Sequence, residues 1–385
     1  MNIKRLILRI ARTVTALTAA ALLPASVAAQ TPNVDITKDH PRVKEVIAVQ
    51  DEHTPGLMSM PEILGTAVGQ DDDGEITLVV FVNAEASNHG EVMRALPRGI
   101  KGVRVSAQLT DRFRALGKPD GGGKPVPPAP PVSHTEIQTP PIKLGTSGGW
   151  SYDLANGYCC GGTLGSLIQV SGSVNKNGQY ILSNYHVFES DIVSGGNRIK
   201  AATGDFIIQP GLIDVGCNAA YAQAVATLVK VSSLPDNNVD CSVAQVIPGM
   251  VRTDGAILEI GTISATTLEA SINQAVKKSG RTSKLTRSKI SGLNATISVA
   301  YDDECAGGPA FTWIFTGQIV IRNPRSSFLA GGDSGSLMVE DVTTSPRAIG
   351  LLYAGSTTLA VANPIGEVLA FVGTKLRGTA TMVGQ

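Results

Sequence analysis

Charge imbalance, aromatic side chains and histidine are all in short supply in this chain of 385 residues. Lys plus Arg and Asp plus Glu number 32 each, so no basic stripe points to nucleic acid or to an anionic membrane, and neither an acidic nor a basic substrate is implied. Aromatics make up 4% of the residues and the only tryptophans are Trp150 and Trp313, too few for the stacking platform of an exported adhesion or carbohydrate-binding domain. The five cysteines, Cys159, Cys160, Cys217, Cys241 and Cys305, include no CxxC pair and share their region with one histidine, His186. A zinc site is therefore not expected, nor any other metal or cofactor. Beyond the first thirty residues no apolar run is long enough to cross a bilayer. The chain also shows no room after residue 378 for the peptide-binding domain expected of a periplasmic quality-control protease.

What is present begins with an address. Lys4, Arg5, Arg9 and Arg12 precede an apolar stretch from about Val14 to Leu23, then the small-residue run Ala25-Ser26-Val27-Ala28-Ala29. This order is that of a secretory signal, with Val27 and Ala29 placing the cut before Gln30, so residues 1–29 are expected to be removed and the product secreted or periplasmic. A mitochondrial transit peptide is the rival, because no acidic residue precedes Asp35, but the compact apolar block suits export better. Export permits disulfides. One or two with a leftover thiol are expected, and the sequence does not assign their pairing.

Residues 118–141 are rich in Gly and Pro and read as a linker between a unit at 30–117 and a larger one at 142–385. The first alternates signals: a helix from Pro41, strands at Ile63–Val68, Ile76–Val82 and Val103–Leu109, a turn at Asp71–Gly74, and helix-compatible Glu85–Leu96. That is a small α+β domain. The second shows many short β-prone runs, among them Leu164–Val170, Tyr180–Ser183, Phe206–Gln209, Ala222–Val231, Ala295–Ala300, Trp313–Ile321 and Ser336–Glu340, parted by turn signals such as Asn175–Gly178. A mostly β barrel or sandwich follows. A C-terminal helix closes it, with Asn363 as N-cap, Pro364 at the first turn, and Ile365, Val368, Leu369, Val372 and Leu376 on one face.

Three short stretches carry chemistry. In Gly331-Gly332-Asp333-Ser334-Gly335-Ser336, glycines flank a serine, so that the amides of Gly332 and Ser334 can turn towards one point as an oxyanion hole. The same composition also makes an ordinary turn. His186, within Leu182–Phe188 and right after an apolar strand end, is the only histidine after residue 134 and so the only histidine base this unit can offer. Asp240 lies in a β-prone run with apolar neighbours, where a carboxylate is costly to bury without a partner, and His186 would be that partner. Asp236 competes with it, but follows Pro235 in an apparent loop.

The order His, Asp, Ser, at separations of 54 and 94 residues and with Gly-Asp-Ser-Gly around the nucleophile, resembles the chymotrypsin-like serine peptidases. More narrowly, the chain is similar to the trypsin-like group that includes the plant narrow-leaf protease and many bacterial relatives. The similarity rests on Ile76–Val82, Gly162-Thr163-Leu164-Gly165, Leu182–Val187, Gln209-Pro210-Gly211, Lys278–Thr282, Gly332–Leu337 and Ala362-Asn363-Pro364. It implies two six-stranded antiparallel β-barrels, with His186 and Asp240 from the first and Ser334 from the second, acting on proteins or peptides. The chain departs from the group's pattern at Ser283-Lys284, where relatives continue with Thr-Gly, and its cysteines are not those of the vertebrate enzymes, so no disulfide carries over.

The same resemblance implies finer expectations. Phe328, six residues before the nucleophile, would lie at the base of the primary specificity pocket, with Tyr353-Ala354-Gly355 as its wall. The segment Ser279-Gly280-Arg281-Thr282 matches the internal arginine that some bacterial enzymes use in place of a freed N-terminal amine, which implies a buried Arg281–Asp333 ion pair. The N-terminal unit is expected to be either a pro-region or a permanent accessory domain. A peptidase-fold protein that binds partners without catalysis is the alternative function.

Overall fold

The computed structural model describes residues 36–115, 133–155, 158–172, 178–189, 201–301 and 311–385. The expected secretory segment 1–29 and residues 118–132 of the expected linker lie outside them. In chain order the N-terminal unit holds α1 (Pro41–Leu57), β1 (Ile63–Gln70), β2 (Ile76–Asn83), α2 (His89–Ala95), β3 (Gly99–Ile100), β4 (Val103–Thr110) and β5 (Phe113–Ala115). There follow β6 (Thr146–Trp150), β7 (Leu154–Ala155), β8 (Tyr158–Cys159), β9 (Gly162–Leu164), β10 (Ser166–Ser171), β11 (Gly178–Ser183), α3 (Tyr185–Phe188), β12 (Phe206–Gln209), β13 (Gln223–Val229) and β14 (Ser242–Val246). The last part comprises β15 (Ala275–Gly280), β16 (Lys284–Tyr301), β17 (Phe311–Arg322), β18 (Leu337–Glu340), β19 (Ala348–Gly355), β20 (Leu359–Pro364), α4 (Ile365–Leu376) and β21 (Thr379–Met382).

The strands form two antiparallel barrels. β9 and β10 are parted only by Gly165 and act as one bent strand. With it, β11, β14, β13, β12 and β6 pair in turn back to β9, six strands around the first barrel. In the second, β15, β18, β19, β20, β17 and β16 pair in order and the β15–β16 pairing closes the ring. This is the mostly β double-barrel architecture that the sequence resemblance implies. α4 then returns its apolar face, Ile365, Val368, Leu369 and Val372, to the core of the first barrel, and β21 pairs with β10.

The N-terminal unit has the expected α+β content, but it does not stand apart. β1 pairs antiparallel with β16, from Gly65 opposite Ile297 to Gly69 opposite Gly292, so one sheet runs from the second barrel through β1 and β2 to β4. The reason lies in β2, which is buried along its whole length. Side chains alternate across a strand. Leu78, Val80 and Val82 pack with Val43 and Val46 of α1, while Val79 and Phe81 join the cluster of Ile297, Val299 and Phe315 in the barrel. A strand apolar on both faces needs a layer on each, and the barrel supplies the second.

Two boundaries move. Within 133–141, assigned to the linker, most residues are exposed, but His134 is buried, with Nδ1 2.8 Å from Gly145 O and Nε2 2.8 Å from Glu259 Oε2. Asn363 does not cap α4; the residue before the helix is Pro364, and the Asn363 side chain points into the site described next.

Candidate active site

α3 follows β11 after one residue, Asn184, and carries His186 into the seam between the barrels. Asp240 stands two residues before β14, the neighbour of β11 in the first barrel. Both side chains are fully buried, and His186 Nδ1 lies 2.7 Å from Asp240 Oδ2. The carboxylate is held on every side. Tyr185 N donates to Oδ1 at 2.7 Å and Tyr301 Oη, at the end of β16, donates to Oδ2 at 2.7 Å. Its backbone is pinned too: Asn184 Nδ2 donates to Asp240 O at 2.7 Å and Asp240 N donates to Asn363 Oδ1 at 2.9 Å. Multiple donors offset the cost of burying a carboxylate. Asp236, the competing candidate, is exposed.

Burial, followed by the neighbouring Asp240 charge, pushes the Tyr301 phenol well above its ordinary value, so it stays a donor. Its ring stacks on Phe311 and meets His186 edge-on. His186 Nε2 is buried and has no hydrogen-bond partner among the described residues.

Ser334 sits in the tight turn before β18, fully buried, with Oγ 3.3 Å from Tyr353 O. The turn is pressed against the first barrel. Thr163 N donates to Ser334 O at 2.9 Å and Thr163 Oγ1 to Gly332 O at 3.0 Å. A Cβ on Gly165 would come within 1.9 Å of Gly335 O, so only glycine lets the bent β9–β10 strand approach the turn this closely. Gly332, at φ +87°, is left-handed and lies against Arg281 and Thr282. The amides of Asp333, Gly335 and Ser336 are engaged with Ala330 O, Leu352 O and Asp333 O, whereas Gly332 N–H has no partner among the described residues.

Asp333 corrects one expectation. Its cation is Lys278, not Arg281: Lys278 Nζ lies 3.0 Å from Asp333 Oδ2 and both side chains are fully buried. Thr282 N and Ser283 N donate to Oδ1 at 2.9 and 3.0 Å; Ser283 Oγ and Ala330 N donate to Oδ2 at 2.5 and 3.0 Å. Burial alone would raise the carboxyl, yet the Lys278 ammonium and the Ser283 hydrogen bonds outweigh it and hold Asp333 below its ordinary range. Burial lowers Lys278 in turn, against the pull of Asp333. Arg281 instead makes a two-pronged contact with Asp214 of the first barrel, Nε to Oδ2 at 2.7 Å and Nη2 to Oδ1 at 2.5 Å. The turn accounts for the exchange. The amides of residues 282 and 283 face Asp333, which leaves the cation role to Lys278 on β15 and sends the Arg281 side chain across the seam.

Phe328 and Tyr353 are fully buried, Phe328 among Ile272, Val276 and Ile290, Tyr353 beside Phe315. Ala354 and Gly355 end β19. Cys159 and Cys217 form a disulfide, Cys160 is also disulfide-bonded with its partner outside the described residues, and Cys241 is a buried free thiol. Among the described residues no group of three or more His, Cys, Asp or Glu could hold a metal ion, and no helix is long and apolar enough to cross a membrane. Tyr301, Asn363, Asn184 and Lys278 escaped the sequence reading as site residues. Lys278, Asn363 and Asn184 carried a signal, each lying in a stretch of resemblance; Tyr301 carried none.

The chain is similar to known proteins in two ways. Residues 235–362 match the family model described as the Nal1 C-terminal domain. Among solved structures, a glutamic acid-specific serine protease with a histidine triad in substrate binding aligns at 17% identity and TM-score 0.38, covering 63% of this chain and 100% of its own. Thermobifida fusca protease A aligns at 15% and 0.36, covering 58% and 92%, and Cellulomonas bogoriensis chymotrypsin at 16% and 0.34, covering 58% and 91%. None of the curated proteins matches with significance.

Proposed function

We propose that the protein is a secreted serine endopeptidase in which Ser334, His186 and Asp240 form the catalytic triad. The observation that carries this reading is the orientation of His186. Its Nδ1 is fixed on a carboxylate that takes two further donors, and its buried Nε2 is left without a partner among the described residues. That tautomer presents Nε2 as a base. In the reaction Ser334 Oγ attacks the peptide carbonyl as its proton passes to His186 Nε2, which then protonates the leaving amine. Water repeats the sequence in reverse on the acyl-enzyme. The amides of Gly332 and Ser334 would hold the oxyanion, and the Lys278–Asp333 pair would fix the turn that aims them. Phe328, Tyr353 and Gly355 bring no carboxylate to the primary pocket, so a modest apolar preference is expected rather than cleavage after Arg or Lys.

A serine-directed fluorophosphonate should label the purified protein and fail to label Ser334→Ala. Ser334→Ala and His186→Ala should each lower peptide turnover on the order of a million-fold with little change in stability. A parent protein that neither labels nor cleaves would leave the non-catalytic binding reading in place.

A further inference from the structure

β5 is the last described strand of the N-terminal unit, and it lies inside the seam. The β18 chain follows β19 only as far as the turn, where Gly335 N donates to Leu352 O and Leu352 N donates to Ser336 O. Past that point the chain leaves for Ser334, and the edge of β19 at Ala354–Gly355 opposite β20 has no barrel strand beside it among the described residues. β5 takes the place. It pairs antiparallel with β19, Ala115 opposite Ala354 and Arg114 opposite Gly355, and parallel with β16, Phe113 opposite Val299 and Arg114 opposite Ala300. It thereby joins two strands that are not neighbours in the barrel.

The direction of β5 is what matters. Antiparallel to β19, it runs with its carbonyl end towards Tyr353, the residue whose own carbonyl accepts Ser334 Oγ. Phe113, fully buried, belongs to the cluster of Tyr185, Leu234, Tyr301 and Tyr353, which flank His186, Asp240 and Ser334. Ala115 is buried against the same wall. The approach is anchored just before the strand. Thr357 N and Oγ1 donate to Asp111, at 3.0 and 2.6 Å to Oδ1, and Thr110 Oγ1 lies 2.7 Å from Ser356 Oγ. From the other side, the Phe81 ring of β2 meets Phe113 edge-on.

We propose that Phe113–Ala115 is an internal ligand of the substrate cleft. The N-terminal unit holds an extended peptide along β19, pointed at the nucleophile, and the cleft opens when this strand is displaced rather than when the whole unit is removed. The proposal rests on the peptidase reading. An open sheet edge recruits such a strand through its unpaired amides and carbonyls.

The test locks and loosens the strand in the full chain. Cα atoms of an antiparallel pair are about 4.5–5.5 Å apart, within disulfide range. The variant Ala115→Cys/Ala354→Cys should therefore cross-link, and once cross-linked it should label with fluorophosphonate at least tenfold more slowly than the parent. A mild reductant that leaves the labelling of the parent unchanged should speed the labelling of this variant at least tenfold over its cross-linked form. Phe113→Ala should label at least tenfold faster than the parent. A cross-linked variant, verified by mass, that labels at the parent rate would overturn the proposal. A separate arm needs no catalysis: a fluorescent Thr-Asp-Arg-Phe-Arg-Ala peptide, the sequence of residues 110–115, should bind Ser334→Ala/Phe113→Ala tightly and Ser334→Ala at least tenfold more weakly. Equal binding to the two would sink the internal-ligand reading. Failure of every form to label, with this binding difference intact, would instead remove the peptidase reading alone.

Discussion

At the scale of single residues the site is organised by where its charges are compensated. Asp240 and Asp333 are both fully buried, and each collects donors from several elements instead of relying on one partner. Removing one member of a buried pair strands the other, at about 3–5 kcal/mol. Lys278→Met should cost that much in urea denaturation, whereas Arg281→Met, which leaves Asp214 with Ser147 Oγ at 2.5 Å, should cost about 1–3 kcal/mol. The pH dependence follows from the sign of the shift at Asp333. Its folded value lies below the ordinary 3.8, so its contribution is complete above about pH 5 and is lost as pH falls through 3.8 towards the folded value. Between about pH 5 and 2 the stability of the parent should therefore fall more steeply than that of Asp333→Asn. Tyr301→Phe removes one donor from Asp240, worth about 1–1.5 kcal/mol, so kcat should fall about tenfold with KM nearly unchanged. An unchanged kcat would confine Tyr301 to a packing role.

Elements were legible where their period was clean. Phe206–Gln209 and Ile76–Val82 are strands because runs of β-prone apolar residues end at turn formers, and the structure places β12 and β2 there. The helix face Ile365–Val372 was equally plain. Asn363 was misread for an understandable reason: Asn before Pro is a good capping signal, but a buried Asp240 amide and Gln318 are stronger claimants for its side chain than a helix end already started by Pro364. The prolines of the expected linker misled in the same way. Pro removes a donor but does not prevent packing, and residues 133–141 find partners through His134 and Gln138.

For the whole molecule, the shared sheet decides how it unfolds. β1 and β16 exchange ladder hydrogen bonds, and one apolar cluster holds Leu64, Ala67, Val79, Phe81 and Phe113 together with Phe315 and Tyr353 of the barrel. Two units joined this way should melt together. Calorimetry of the full chain should show one transition rather than a separate early melting of the N-terminal unit, since separating them would expose the edge of β16 and the apolar face of β2. Two resolved transitions would restore the picture of a tethered, independent domain.

While the two barrels came from the resemblance, the sequence by itself determined a mostly β unit and singled out the three candidate triad residues. Those depend on local pattern and on scarcity: one histidine in the region, one serine ringed by glycines, one aspartate in an apolar run. The tertiary structure alone decided which cation meets Asp333, what covers Asp240, and that the N-terminal unit ends as a strand against β19. Each of these is a choice among several chemically suitable partners far apart in the chain. Lys278 and Arg281 are both cations three residues apart, and only the direction of the turn between them settles which one turns inward. The edge of β19 likewise offers amides and carbonyls to any extended backbone, and Phe113 is told from other buried aromatics only by the cluster of Tyr185, Tyr301 and Tyr353 that the fold assembles around it.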